Sequence, residues 1–237
     1  MLSGAGAPGE GPQVIRFLKS RGIKRLDTLL ITTWKDQQLG GALEVLKGFG
    51  ARQFFHNAVF TAGPRANAVY AYAQQQEKQG KMVMGSPGPG QSITIFFSPP
   101  CRLNAIAPTG PMISRFANDP DCSLMVEFSY DKLSVLNLGQ TTRKHQEAMW
   151  KTSRDRPDGQ VLVIGHAGSA DALLPSLLKP LKTRVAVIPV ARRAGKAPSA
   201  ITLSMLRKAK VKVYRTDLQG NVTVTTDGRS VDVKTAR

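Results

Sequence analysis

The stretch Leu29-Leu30-Ile31-Thr32-Thr33-Trp34-Lys35-Asp36-Gln37-Gln38-Leu39-Gly40-Gly41 decides the fold. Residues 26–32 are apolar enough for a buried strand, a polar loop follows, and the double glycine opens a helix predicted over 42–49. A strand end feeding a helix N-terminus is a common place for a metal or an anion, because loop side chains and unpaired backbone N–H groups converge there.

Around this stretch the pattern alternates between the two secondary-structure periods. Residues 12–21 carry Val14, Ile15, Phe17 and Leu18 at helical spacing, with Gly22 as the C-cap. A strand is predicted over 54–60 and a helix over 67–79, closed by Gly80. Strands follow at 81–84, 92–97, 122–130 and 132–138, separated by a long Pro- and Gly-rich loop at 99–120. A helix is predicted over 142–151. The second half repeats the logic of the first: the strand 161–164 ends at Gly165-His166-Ala167-Gly168-Ser169, and a helix over 172–178 follows. The strand at 185–190 leads to a helix over 201–209, and strands at 211–215 and 221–225 are joined through Leu218-Gln219-Gly220. This is the order of a layered α/β protein. Residues 1–12 read as a flexible loop, and no internal repeat or linker divides 13–237, which are expected to form a single domain.

Charge narrows the function. The 237 residues hold 33 Lys+Arg against 16 Asp+Glu, a net charge of +17, and the pI is about 10.3. Such a balance favours polyanions. It is also unevenly spread. Between Asp171 and Asp217 there is no acid, while Arg192, Arg193 and Lys196 fall in one loop and Arg207, Lys208, Lys210 and Lys212 at a helix end and strand. These seven are the candidate nucleic-acid contacts, with the first three expected to matter most. Cys101 and Cys122 fit no metal-ligand spacing and read as free thiols. No run approaches the roughly 18 apolar residues of a membrane span. The N-terminus lacks the regions of a signal peptide, so a cytoplasmic location is expected unless an upstream extension exists.

From about residue 12 to 233 the chain resembles the metallo-β-lactamase-like domain of ComEC-type competence proteins, the DNA internalisation channels. The motifs that carry this are Gly-His-x-Gly-Ser at 165–169, Val-Ala-Val-Ile-Pro-Val at 185–190, and Leu-Arg-Lys-Ala-Lys-Val-Lys-Val-Tyr-Arg-Thr-Asp at 206–217, followed by Gly-Asn-Val-Thr-Val-Thr-Thr-Asp-Gly at 220–228. The early Arg-Gly-Ile-Lys-Arg-Leu-Asp-Thr-Leu at 21–29 is in the same idiom. The resemblance implies a four-layer αββα sandwich with two metals held by loops at one edge of the sheets. In it, the strand of the opening stretch leads into His-x-His-x-Asp-His-x-Gly-Gly. The chain begins where that family's third strand should be ending, so the opening hairpin of the first sheet is expected to be missing.

The ligands implied by the resemblance are mostly replaced. Counting back from Gly40-Gly41, the positions that should hold them are Thr33, Lys35, Gln37 and Gln38, with Asp36 among them. The family's bridging aspartate falls at Gln140, its late histidines fall at Ala197 and Ser199, and of its paired histidines only His166 survives, beside Ala167. A binuclear site needs several imidazoles and carboxylates to hold two cations and generate hydroxide. These nine positions are therefore expected to be a vestigial site with no metal and no cofactor, zinc or manganese being the metals if the site were active. His145 and His56 match no site position; His145 is expected on a solvated basic helix. Trp34 is expected either to fill the space the ligands vacate or to stack on a base. Three functions stay open: a non-catalytic domain that binds nucleic acid through a basic face, a phosphodiesterase or nuclease with an altered metal set, and a structural domain completed by a second copy or partner chain at an exposed sheet edge. Enzyme activity is the less favoured expectation.

Overall fold

The apolar strand that opens the sequence argument lies inside a four-stranded parallel sheet, and three helices earn their places by what they lay against it. The computed structural model describes residues 1–88, 91–97, 100–152, 159–192, 195 and 197–237, the side chains of 92–97 and 100 excepted. Two compact units are distinguished, residues 1–87 with 116–120, and 88–115 with 121–237, so the chain passes between them more than once and no single cut separates them.

In the first unit the elements are β1 (Leu2–Ser3), α1 (Gly11–Ser20), β2 (Leu26–Ile31), α2 (Asp36–Leu39), α3 (Ala42–Gly48), β3 (Ala51–His56), α4 (Pro64–Lys78) and β4 (Val83–Gly85), with sheet order β1-β2-β3-β4. Leu29, Leu30 and Ile31 are fully buried, as expected for a strand covered on both faces. Leu29 and Ile31 join Phe54, Val45, Val69 and Ala73 in one core, against which Val14 and Ile15 of α1 pack. Both predicted glycine caps hold. Gly22 (φ 72°) donates to Lys19 O and Ile23 to Leu18 O, while Gly80 (φ 67°) donates to Glu77 O and Lys81 to Gln76 O.

The first residues are more ordered than their composition suggests. Leu2 and Ser3 pair in parallel with Leu29 and Leu30, and Ala5 is buried in the core. The edge of this sheet beyond β2 is thus a two-residue parallel strand rather than a hairpin. The strand predicted at 54–60 starts earlier, at Ala51, because register with β2 sets its bounds.

The second unit contains β5 (Ser92–Phe97), β6 (Pro100–Ala107), α5 (Gly110–Arg115), β7 (Met125–Tyr130), β8 (Leu133–Asn137), α6 (Arg143–Thr152), β9 (Val161–Val163), β10 (Val185–Ile188), α7 (Ala200–Lys208), β11 (Lys212–Arg215), α8 (Thr216–Gln219), β12 (Val222–Thr226) and β13 (Val231–Thr235). Its seven-stranded sheet runs β11-β10-β9-β8-β7-β6-β5, parallel from β8 to β11 and antiparallel from β8 to β5. The predicted long loop at 99–120 is instead strand β6 and helix α5. Its prolines misled, because Pro100 sits at a strand start and Pro111 inside a first helical turn, where a missing N–H is tolerated. The helix predicted at 172–178 is only a 3₁₀ turn at Pro175–Leu177. β12 pairs with β13 as a separate antiparallel hairpin, an arrangement the sequence reading missed.

Mixed parallel and antiparallel sheets with covering helices make this an α/β fold of the metallo-β-lactamase-like class.

Candidate functional site

The positions implied by the resemblance fall in the loop after β2 of the first unit and in the loops after β8, β9 and β10 of the second, and the two units build theirs differently.

In the first unit the loop leaves β2 at Thr32. Thr32 Oγ1 donates to Gln38 Oε1 (2.9 Å), and Thr33, also buried, donates from Oγ1 to Pro120 O (3.2 Å). The Lys35 N–H in turn reaches Thr33 Oγ1 at 3.4 Å. Asp36 opens α2 from an exposed position and pairs with Arg65 at 2.7 Å, while Gln37 is exposed. Trp34 turns the other way. It is 3% exposed, donates Nε1–H to Asn57 O (2.9 Å), and meets Phe60 edge-on at a centroid distance of 4.6 Å. His56 lies 5.1 Å from the same indole, and Tyr70 and Phe54 complete the cluster at 6.0 and 6.4 Å. Trp34 therefore fills space rather than offering a face for stacking.

The double glycine has a packing cause. A Cβ built on Gly40 would lie 2.1 Å from the backbone N of Pro8, and one on Gly41 would lie 2.4 Å from Ala5 O. The opening segment crosses directly over these two residues, so no side chain fits.

In the second unit the counterpart loop follows β9. A Cβ on Gly165 would meet Gly139 O at 1.7 Å, which shows how tightly the loops after β8 and β9 are pressed together. Gln140 Oε1 accepts from the His166 N–H at 2.9 Å, and His166 Nε2 is hydrogen-bonded to Gln140 O and lies 3.2 Å from Asp121 Oδ1. His166 and Ala167 both adopt φ 49°, an uncommon conformation that costs about 1–2 kcal/mol for a residue with a Cβ. Ser199 accepts from Ile201 N–H to cap α7, and its own N–H donates to Gly168 O (2.9 Å); Ala197 offers no donor.

This donor set does not fit a binuclear metal. Gln38 Oε1 already accepts from Thr32 in its own loop and Gln140 Oε1 from the His166 N–H of the neighbouring one, Asp36 is paired with a guanidinium, and Lys35 would add a cation where a cation is to bind. Among the described residues no three His, Cys, Asp or Glu side chains gather as a metal would require.

The sequence reading missed Asp121, which no motif flags and which only the fold brings to His166. His145 corrects an expectation: it is fully buried, with Nδ1 3.0 Å from Thr142 Oγ1, because α6 turns that face inward against its own unit. Of the seven cations, Arg192, Arg207, Lys208, Lys210 and Lys212 are exposed, and Arg193 and Lys196 lie outside the described residues. Lys212 Nζ sits 5.3 Å over the Tyr214 ring. No described helix is long and apolar enough to cross a membrane.

No protein-family model matches the chain. It is 24% identical over 215 residues to ComE operon protein 3 of Bacillus subtilis (strain 168), a match that takes in 88% of this chain and 26% of that protein. The chain is thus about a quarter of the length of this curated relative. Among solved structures it is similar to CmlA, a diiron β-hydroxylase from Streptomyces venezuelae, with a TM-score of 0.52 and 11% identity over 81% of this chain and 44% of that one. Igni18, a metallo hydrolase from the archaeon Ignicoccus hospitalis, aligns with a TM-score of 0.44 and 12% identity over 88% and 79% of the two chains. The chain shares its α/β fold with CmlA, and in sequence it is similar to a stretch of ComE operon protein 3.

Proposed function

We propose that this chain is a non-catalytic, metallo-β-lactamase-like domain related to DNA-uptake proteins, and that it binds nucleic acid through the basic surface of its second unit. The observation that carries the reading is the acid-free block between Asp171 and Asp217, whose cations Lys179, Lys182, Arg184, Arg192, Arg207 and Lys208 are all exposed. Cations at the surface with no acids between them sum to a field that draws phosphates from about 8–10 Å away at physiological salt. The similarity to a competence operon protein supports the choice of nucleic acid as the polyanion. The hydrogen bonds that occupy Thr33, Gln38 and Gln140 support the absence of hydrolysis.

Two measurements test this. Fluorescence anisotropy with a labelled mixed-sequence duplex is expected to show binding that weakens steeply with salt and is indifferent to sequence; no affinity at low salt overturns the reading. Elemental analysis of protein purified without chelator is expected to find no stoichiometric zinc or manganese. One or two equivalents, with phosphodiester hydrolysis lost on His166→Ala, would replace the binding domain by a hydrolase.

A further inference from the structure

Resting on the nucleic-acid reading above, we infer that the phosphate-binding surface is the N-terminal end of the parallel strands β8–β11, at the opposite end of that sheet from His166. The register fixes the geometry. Val135, Val161, Val185 and Lys212 stand in one row across β8, β9, β10 and β11. Residues just before that row lie beyond the strand starts, and they include Lys132, Arg184 and Lys210. Lys212 donates its N–H to Arg184 O (2.8 Å), and Arg184 to Gln160 O (2.9 Å). Gln160 closes the row by donating Nε2–H to Lys132 O (3.1 Å). His166, Gln140 and Arg192 follow the C-terminal ends of β9, β8 and β10 instead.

These cations come from three separate segments, near 132, 179–184 and 207–212. Helix-end solvation explains only part of them. Arg207 and Lys208 occupy the last turn of α7, where the helix dipole favours positive charge. That account does not reach Lys132, Lys182 or Arg184, which belong to other elements and are exposed. Next to them a depression of about 420 Å³ is lined by Leu178, Lys179, Lys182, Thr183 and Ala209. The two ammonium groups that line it, those of Lys179 and Lys182, are suited to phosphate oxygens. Asp131, at the same end, lies 3.9 Å from Arg229, which offsets its charge. Three inter-strand spacings make this edge about 14 Å wide, enough for roughly four phosphates of one duplex strand at about 3.4 Å each.

The test compares two triple variants of the full chain by the salt dependence of duplex binding. At the N-terminal end the changes are Lys182→Asn, Arg184→Ala and Lys210→Asn; asparagine suits the left-handed backbone of Lys182 (φ 53°) and Lys210 (φ 57°). The second triple is Arg192→Ala, Arg193→Ala and Lys196→Ala, the loop that the sequence alone favours. The first triple is expected to lower the slope of log K against log salt by about 2–3 units, at about 0.9 per phosphate, and the second by less. If the first triple has melted, by circular dichroism, Lys132→Gln with Lys179→Gln gives the same comparison at about 1–2 units. The reverse order overturns the inference while leaving nucleic-acid binding in place. Absence of duplex binding by the unmodified chain overturns both, and so does binding confined to vesicles of anionic lipid.

Discussion

The loops after β2 and β9 stand at corresponding points of their units, and they are held by opposite means. In the first, Trp34 turns away from the polar side chains of the loop and packs against Phe60, Tyr70, Phe54 and His56, and its indole N–H is satisfied by Asn57 O. The second stays polar, with His166 tied to Gln140 and Asp121 at a side-chain exposure of 20%. Apolar packing gains stability in proportion to buried area, whereas a polar clamp near solvent exchanges water partners for protein ones at little net gain. Two loops at corresponding strand ends thus differ, one well packed and the other strained at His166 and Ala167.

The largest effect should come from emptying the first loop. Trp34→Ala is expected to cost about 3–5 kcal/mol in urea denaturation, as a buried aromatic replaced by a cavity does. His166→Ala should cost only about 1–2 kcal/mol, the worth of its hydrogen bonds. Equal costs would erase the contrast between the loops.

The glycines should behave alike, because both loops are closed by backbone. Gly165→Ala and Gly40→Ala each bring a Cβ within 1.7 and 2.1 Å of another segment's main chain, and each is expected to cost about 1–3 kcal/mol or more. Gly110, around which an added Cβ meets nothing within 4 Å, provides the control; Gly110→Ala should leave the denaturation midpoint within about 0.5 kcal/mol of wild type. A neutral Gly40→Ala would mean that residues 5–8 do not cross the double glycine in solution.

How much of this was legible follows from the range of each interaction. The strand at 26–31, the helices at 64–78 and 200–208, and the caps at Gly22 and Gly80 are written in local periodicity and backbone preference, and these were readable. The contacts that hold the loops after β2 and β9 were not. Asp121 reaches His166 from a distant point in the chain, and nothing in Pro120-Asp121-Cys122 announces it. His145 read as solvated because it stands beside Lys144 on a basic helix, yet its own face of α6 points inward. The need for Gly40-Gly41 read as a helix start at a ligand site, whereas its cause is the opening segment, whose glycines and prolines suggested a loop. Composition reports what a segment can bury by itself, not what it lies across.

The smallest expected effect concerns His56, and it tests whether the first loop is as dry as its packing implies. Burial among Trp34, Phe54 and Tyr70 holds the His56 imidazole below its ordinary value near 6.5, and the hydrogen bond from Nδ1 to Asn57 O (3.0 Å) opposes this only in part. The unfolded chain then binds a proton at His56 at a pH where the folded chain does not. Stability is therefore whole above about pH 6.5 and falls as pH drops through that value toward the lowered folded one, below which both states are charged and the loss levels off. His56→Phe keeps an aromatic ring in the cluster and removes the titration. Subtracting its stability curve from that of wild type, measured by urea denaturation between pH 8 and about 5, cancels whatever the two proteins share. The difference should bend downward as pH falls past about 6.5. A flat difference would mean that water reaches His56 and that the aromatic cluster is looser than the 4.6 Å contact between Trp34 and Phe60 implies. A difference that rises with acid would mean that the Asn57 carbonyl outweighs burial, and the first loop would then hold a cation beside Trp34.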